Sequence, residues 1–125
     1  MRPARPPFSE VVRGPAFRKI ISFLAVLTAV GNILDGITTR IGLSLGGTER
    51  VPVAIEIMKS VGVDGFVLLK FGMGLFFLVA GLSYARRWHK TDPRLCLIVL
   101  VLMSFACFEF GFPVVANLYQ ISRMV

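Results

Sequence analysis

The sequence of 125 residues is poor in charge, because Asp, Glu, Lys and Arg make up 17% of it where soluble domains average about 25%. It has one histidine and two cysteines, so clustered metal ligands are missing, and no cofactor is expected. Cys96 and Cys107 lie about 16 Å apart along one predicted helix, too far for a disulfide. Ser104 has no histidine in the same apolar run, so the sequence does not predict an enzyme.

Apolar residues are abundant, at 55% of the chain, and the mean hydropathy is +0.76. A soluble fold of this length could not hide so many of them, so lipid is the expected solvent for most of the surface. Three apolar segments reach the roughly 20 residues that a helix needs to cross the hydrocarbon core. They cover residues 20–43, 65–85 and 95–121. We therefore predict an all-α integral membrane protein with three transmembrane helices.

The segments between and before these spans are short or rich in proline. Residues 51–63 are too short to cross a bilayer, and the Gly46-Gly47 turn precedes them. They predict an interfacial or re-entrant half-helix with Pro52 in its first turn. Residues 1–19 carry five basic residues among four prolines, which predicts a flexible basic arm. Residues 20–125 are expected to form a single transmembrane domain.

Basic residues outside the spans predict the orientation. The arm and the loop at 86–94 together hold nine, and the other side of the membrane holds four. The N-terminus is therefore expected in the cytoplasm and the C-terminus outside. The loop is also expected to bind anionic lipid head groups through Arg86, Arg87, Lys90 and Arg94, with Trp88 as an interfacial anchor. Because no aromatic and basic face is evident, the net charge of +7 does not predict a nucleic-acid partner.

Ionisable side chains inside a span cost about 2.5 to 3.5 kcal/mol on insertion scales, so each needs a partner or a purpose. Asp35, Lys70 and Glu109 are in this position. With a rise of about 1.5 Å per residue, Asp35 lies ~12 Å and Lys70 ~8 Å below the predicted outer boundary. Their matched depth predicts an ion pair. Glu109 lies ~18 Å below Ile121, near the midplane and level with Asn32.

Helical spacing predicts that polar residues of all three spans face a common interior. Asn32 and Asp35 lie on one stripe of the first span, and Lys70 shares its face with two glycines of the second. The predicted intramembrane network consists of Asn32, Asp35, Thr38, Thr39, Lys70, Glu109 and Asn117. It either holds three apolar helices together or forms a polar site, open to the outer face, for an ion or small solute. Lys70 alone could instead snorkel to the surface.

Several short motifs resemble those of a known family. They are Asn32-Ile-Leu-Asp35-x-x-Thr38, Gly46-Gly47-Thr-Glu49-x-x-Pro52, Phe66-x-x-x-Lys70 and Asn117-Leu118. This order resembles a family of small prokaryotic multi-pass membrane proteins of unknown function. Its pattern is N-x-x-D-x-x-T, then G-x-x-E-x-N-P, then a lysine in the next span, and the resemblance covers roughly residues 25–120.

The resemblance implies that Asp35, Thr38, Glu49, Pro52 and Lys70 are signature positions, but it supplies no activity. The chain departs from the family pattern beside one of them, because Val51 stands where asparagine would precede Pro52. Valine cannot cap a helix, so Glu49 or the adjacent threonine is expected to supply the missing acceptor.

Two functions of different classes are compatible with the sequence. The first is a non-enzymatic accessory or assembly subunit of a larger membrane protein complex. The alternative is a small ion- or solute-translocating homo-oligomer with Asp35, Lys70 and Glu109 along the path. In both cases the expected location is the prokaryotic cytoplasmic (inner) membrane. The expected partners are anionic lipids and either other membrane protein subunits or further copies of this chain.

Overall fold

The computed structural model of the chain describes residues 7–90 and 92–125, and within these ranges the fold is helical. The elements are α1 (Phe8–Arg13), α2 (Pro15–Ser44), α3 (Pro52–Arg86), a 3₁₀ helix (Trp88–Lys90) and α4 (Pro93–Ser122). Helices α2, α3 and α4 are long and apolar enough to cross a membrane. This confirms the predicted all-α integral membrane fold with three spans.

The three long helices begin at a proline, and an acidic acceptor lies at the start of α3 and α4. Each of the three has proline in its first turn, where the missing N–H leaves no hydrogen bond unmade. Asp92 caps α4, since its Oδ1 accepts a hydrogen bond of 2.8 Å from the Arg94 N–H. Val51 cannot cap α3, and Glu49 Oε1 accepts from the Val51 N–H at 2.9 Å instead.

Helix α3 consists of two helical segments joined at Gly62, whose φ of 77° and ψ of 171° are not helical. Glycine adopts a positive φ without the clash that a Cβ causes in other residues. Nothing lies within 4 Å of where a Cβ would stand, so the backbone conformation, not crowding, requires glycine here. The segment before Gly62 is the predicted short half-helix, and the segment after it is the second span.

Helix α2 is the centre of the bundle, because it packs against both α3 and α4 while those two contact each other far less. Glycines allow these close approaches. A Cβ on Gly31 would stand 3.3 Å from the Phe110 carbonyl oxygen of α4. One on Gly74 of α3 would stand 3.0 Å from the Ala29 carbonyl oxygen. In the most apolar part of each helix, 44% of α2, 22% of α3 and 11% of α4 is buried, so α4 exposes most to lipid.

The two ends of the bundle differ in chemistry. The end that holds α1 and the α3–α4 loop, called the α1 end below, contains an apolar core. Its buried members are Val12, Ile21, Ala25, Ala85, Trp88, Cys96 and Met103. The opposite end, called the Gly47 end, holds the α2–α3 loop and the C-terminus, where Gly47 lies against the Met124 side chain. The buried polar residues of α2 lie between the apolar core and the Gly47 end.

Two predictions at the α1 end differ from the structure. Residues 8–19, predicted as a flexible arm, are helical apart from Gly14, and residues 1–6 of that arm lie outside the described residues. Trp88, predicted as an interfacial anchor, is only 1% exposed. Its indole Nε1 donates a 2.7 Å hydrogen bond to the Val12 carbonyl, and Val12 itself is fully buried. The indole therefore closes the end of the bundle rather than facing the lipid head groups.

Candidate functional site

The site is built on one face of α2, where polar residues recur at helical spacing. Thr28, Asn32, Asp35 and Thr39 follow the i, i+4, i+7, i+11 pattern, and all four are buried. Thr38 is buried beside them. Because α2 is packed between α3 and α4, this stripe faces both neighbours at once. The structure therefore brings the predicted polar residues of α2 into the interior of the bundle.

Asp35 and Lys70 form an ion pair of 2.7 Å between Oδ2 and Nζ. Their side chains are 6% and 16% exposed, so both charged groups are largely buried. A Cβ on Gly36 would stand 3.3 Å from Lys70 Cβ, which shows how closely α3 passes α2 at this level. In this structure Lys70 points into the bundle instead of snorkelling towards the membrane surface.

Two phenyl rings complete the surroundings of the ammonium group. Lys70 Nζ lies 5.4 Å from the ring centroid of Phe66 and 5.4 Å from that of Phe110. Both distances are within the range of a cation–π interaction. Phe66 stands one helical turn before Lys70 on α3, whereas Phe110 comes from α4. A carboxylate and two aromatic faces thus share one ammonium group, and each of the three spans supplies part of the site.

Asn117 joins α4 to the other oxygen of the carboxylate. Its Nδ2 lies 3.2 Å from Asp35 Oδ1, 3.2 Å from Thr38 Oγ1 and 3.1 Å from Thr39 Oγ1. An amide has two N–H donors, so three acceptors share them. Both oxygens of Asp35 are consequently engaged, one by α3 and the other by α4. The carboxylate is the point at which the three spans are joined.

Two polar atoms deeper in the bundle have no hydrogen-bond partner among the described residues. Asn32 Nδ2 donates to the Thr28 carbonyl at 3.0 Å, but Asn32 Oδ1 and Thr28 Oγ1 are unsatisfied and buried. Burying a polar group without a partner costs free energy of folding, on the order of 1–3 kcal/mol by mutational measures. The Asn32 Cβ packs where Gly74 lets the backbone of α3 approach α2 closely.

A narrow crevice lies above Asn117 at the Gly47 end. It has room for about 20 Å³, enough for one water molecule. Its polar lining consists of Thr38, Thr39, Thr48, Glu49, Asn117 and Gln120. Glu49 is positioned there by its bonds to the backbone N–H groups that precede Pro52. Glu49 therefore lines the crevice, close to the network but not bonded to it, whereas Pro52 is the first residue of α3 and does not line the crevice.

Glu109 is the predicted network residue that the structure places elsewhere. Its side chain is exposed, and no hydrogen bond or ion pair joins it to another described residue. The face that α4 turns inward carries Phe110 and Asn117, because the backbone of α4 at Phe110 rests against Gly31. Glu109 is one residue, or about 100° of rotation, away from that face. The prediction that Glu109 faces the common interior is therefore wrong.

The four basic residues predicted to meet lipid head groups are exposed at the α1 end: Arg86, Arg87, Lys90 and Arg94. They surround the loop that joins α3 to α4. Among the residues that the structure describes, no group of three or more His, Cys, Asp or Glu side chains is arranged to hold a metal ion.

Fold and site together define a small multi-pass membrane protein whose three spans meet at a buried carboxylate. The chain belongs to the family described as a domain of unknown function, DUF5658, whose model matches residues 26–123. This confirms the predicted membership of a family of unknown function. No curated protein and no solved structure matches the chain.

Proposed function

We propose that this chain is a non-enzymatic accessory or assembly subunit of a larger membrane protein complex. The observation that carries the proposal is the surface of α4, which is the least buried of the three spans and presents an acidic side chain halfway along its length. A lone span-embedded carboxyl group facing lipid is costly, and a protein partner would remove that cost. A chain of three spans also leaves most of its surface for lipid or for other proteins.

The closed state of the polar network supports the same proposal. Both oxygens of Asp35 are bonded within the chain, and Lys70 is enclosed by the carboxylate and two phenyl rings. Groups engaged in this way hold helices together, and a substrate or ion would have to displace them. The network therefore builds a rigid three-helix unit that a larger assembly can use.

The test is the size and composition of the protein extracted from its own membrane in mild detergent. A chromosomally tagged copy is expected to migrate in a complex much larger than the purified chain, together with another membrane protein at a fixed ratio. The purified chain, expressed alone, is the control for detergent and self-association. A tagged copy that migrates only as a monomer or homo-oligomer would contradict the proposal.

The proposed orientation places the α1 end in the cytoplasm of a prokaryotic cell and the C-terminus outside. We expect a cysteine at position 125 to react with a membrane-impermeant maleimide in intact spheroplasts. One at position 90 should react only after permeabilisation, since basic residues stay on the cytoplasmic side. Cys96 and Cys107 are first replaced by alanine. Labelling of both positions from the same side would contradict three crossings.

The crevice above Asn117 favours a second candidate, a small ion- or solute-translocating homo-oligomer. This crevice opens at the Gly47 end and leads to the residues that bond Asp35. In proteoliposomes such a protein would conduct an ion or release a trapped solute, and Asp35→Asn would abolish the flux. Flux that is unchanged by Asp35→Asn, or no flux at all, would leave the accessory function as the better proposal.

A further inference from the structure

The side chain of Glu109 lies exposed near the middle of α4, with no bond to any other described residue. The backbone carbonyl of Glu109 also lacks its usual hydrogen-bond donor. In an α-helix the Glu109 carbonyl would accept from the N–H four residues later, and that residue is Pro113, which has none. Glu109 therefore offers two kinds of acceptor, a carboxyl group and a carbonyl, near the middle of a helix that is long and apolar enough to cross a membrane.

The neighbours of Glu109 on the same face of α4 are large and apolar. Leu102, Phe105 and Phe112 stand at i−7, i−4 and i+3, and they are 60%, 63% and 63% exposed. Ala116, one further turn along, is small and exposed. The result is an exposed helix face with an acidic group between two phenyl side chains.

The environment of Lys70 inside the bundle shows that a carboxylate flanked by phenyl rings binds a basic side chain in this protein. Around Lys70, one carboxylate at 2.7 Å and two phenyl rings at 5.4 Å receive an ammonium group. Glu109, Phe105 and Phe112 offer the same chemistry on the outside of α4. The groups that surround a basic side chain inside the bundle are thus repeated on a surface that faces away from it.

We propose that Glu109 is the recognition point for a transmembrane helix of another protein, and that this helix carries a lysine or arginine at the depth of Glu109. The proposal rests on the accessory function above and names the chemistry of the partner. A basic side chain would bond the carboxyl group, supply a donor near the Glu109 carbonyl and pack between the rings of Phe105 and Phe112.

A second copy of this chain is a poor occupant of the same face. Two copies related by a two-fold axis along α4 would set Glu109 against Glu109. Among the residues that the structure describes, the only basic one near this depth is Lys70, which is already paired with Asp35. Arg40 lies nearer the Gly47 end and is paired with Asp64 at 3.1 Å. Charge complementarity therefore favours a different protein.

The test places the photoreactive amino acid benzoyl-phenylalanine at Leu102, on the Glu109 face, in the full-length chain expressed in its own membrane. Irradiation is expected to give one adduct, with a protein whose cross-linked transmembrane segment contains lysine or arginine. Glu109→Leu should lower the adduct yield roughly thirty-fold, as for a buried charge pair that loses one partner. The same probe at Val79, which is 57% exposed on α3, is the positional control.

Charge exchange then tests the contact directly. Glu109→Lys should abolish the adduct, and glutamate in place of the partner's basic residue should restore it. Glu109→Leu removes no contact within the chain, so its melting temperature in detergent should match that of the wild type, which separates lost recognition from lost folding. Leu118→Ala, which changes an exposed residue about 180° around α4 from Glu109, should leave the adduct unchanged.

The proposal would be overturned by an adduct with a second copy of the chain or with a helix that has no basic residue. It would also be overturned by an adduct whose yield is the same with and without Glu109→Leu, or by no adduct at all. A stable complex that survives Glu109→Leu would overturn the role of Glu109 and leave the accessory function standing. A tagged protein found only as a monomer or homo-oligomer would contradict both the role of Glu109 and the accessory function.

Discussion

Replacing Asp35 with asparagine is expected to destabilise the protein by about 3–5 kcal/mol, and so is replacing Lys70 with methionine. Each change leaves one charge buried without its partner. The double variant should recover a large part of the loss, because a pair of uncharged side chains of similar size has no such charge to accommodate. Unfolding of the four proteins in detergent, followed by heat or denaturant, gives the coupling energy directly.

A second ion pair of the same chain supplies the matched control. Glu56 and Lys59 are also 2.7 Å apart, but their side chains are 71% and 65% exposed. Glu56→Gln, Lys59→Met and their combination should change stability little and additively, since exposed pairs contribute little. If the Asp35 and Lys70 changes proved equally small or simply additive, the buried pair would not hold the bundle together.

Leucine at Gly74 is expected to lower stability by about 2–3 kcal/mol. The obstacle is backbone, because a Cβ there would stand 3.0 Å from the Ala29 carbonyl oxygen and 3.3 Å from Asn32 Cβ. Helix α2 would have to move away from α3, and with it the polar stripe that Asn32 and Asp35 share. Thermal unfolding in detergent measures the loss.

Gly72 is the control for this change, since it lies on the same helix with nothing within 4 Å of its would-be Cβ. Gly72→Leu should leave stability unchanged or raise it slightly, because leucine has the better helix propensity. Equal losses at the two positions would show that the effect comes from the helix itself and not from its contact with α2.

The meeting of Asp35 with Lys70 could be predicted from the sequence because two independent estimates agree. Depth follows from the number of residues to the end of each span, and orientation follows from helical spacing. On α2 the polar residues recur on one helical face, and that face is the buried one. On α3, Gly74 and Gly81 lie where the neighbouring helix approaches the backbone closely. The motifs on which the predicted resemblance rests include the same two positions.

The face of α4 could not be predicted in the same way. Its sequence is apolar all around, so spacing does not single out one inward side. The choice is made by tertiary contact: Gly31 receives the backbone at Phe110, and this turns Asn117 inward and Glu109 outward. The aromatic partners of Lys70 were missed too, although Phe66 at i−4 could have been found from helical spacing alone.

The contact between Trp88 and Val12 joins residues that are 76 positions apart, and it has a consequence for the order of assembly. Helix α1 is six residues long, too short to be stable alone, and it packs against α4 as well as α2. During synthesis α1 is therefore made before the groups that hold it in place, since the Trp88 indole and the third span both come later in the chain. Protease resistance of the N-terminal segment would report that membrane insertion is complete.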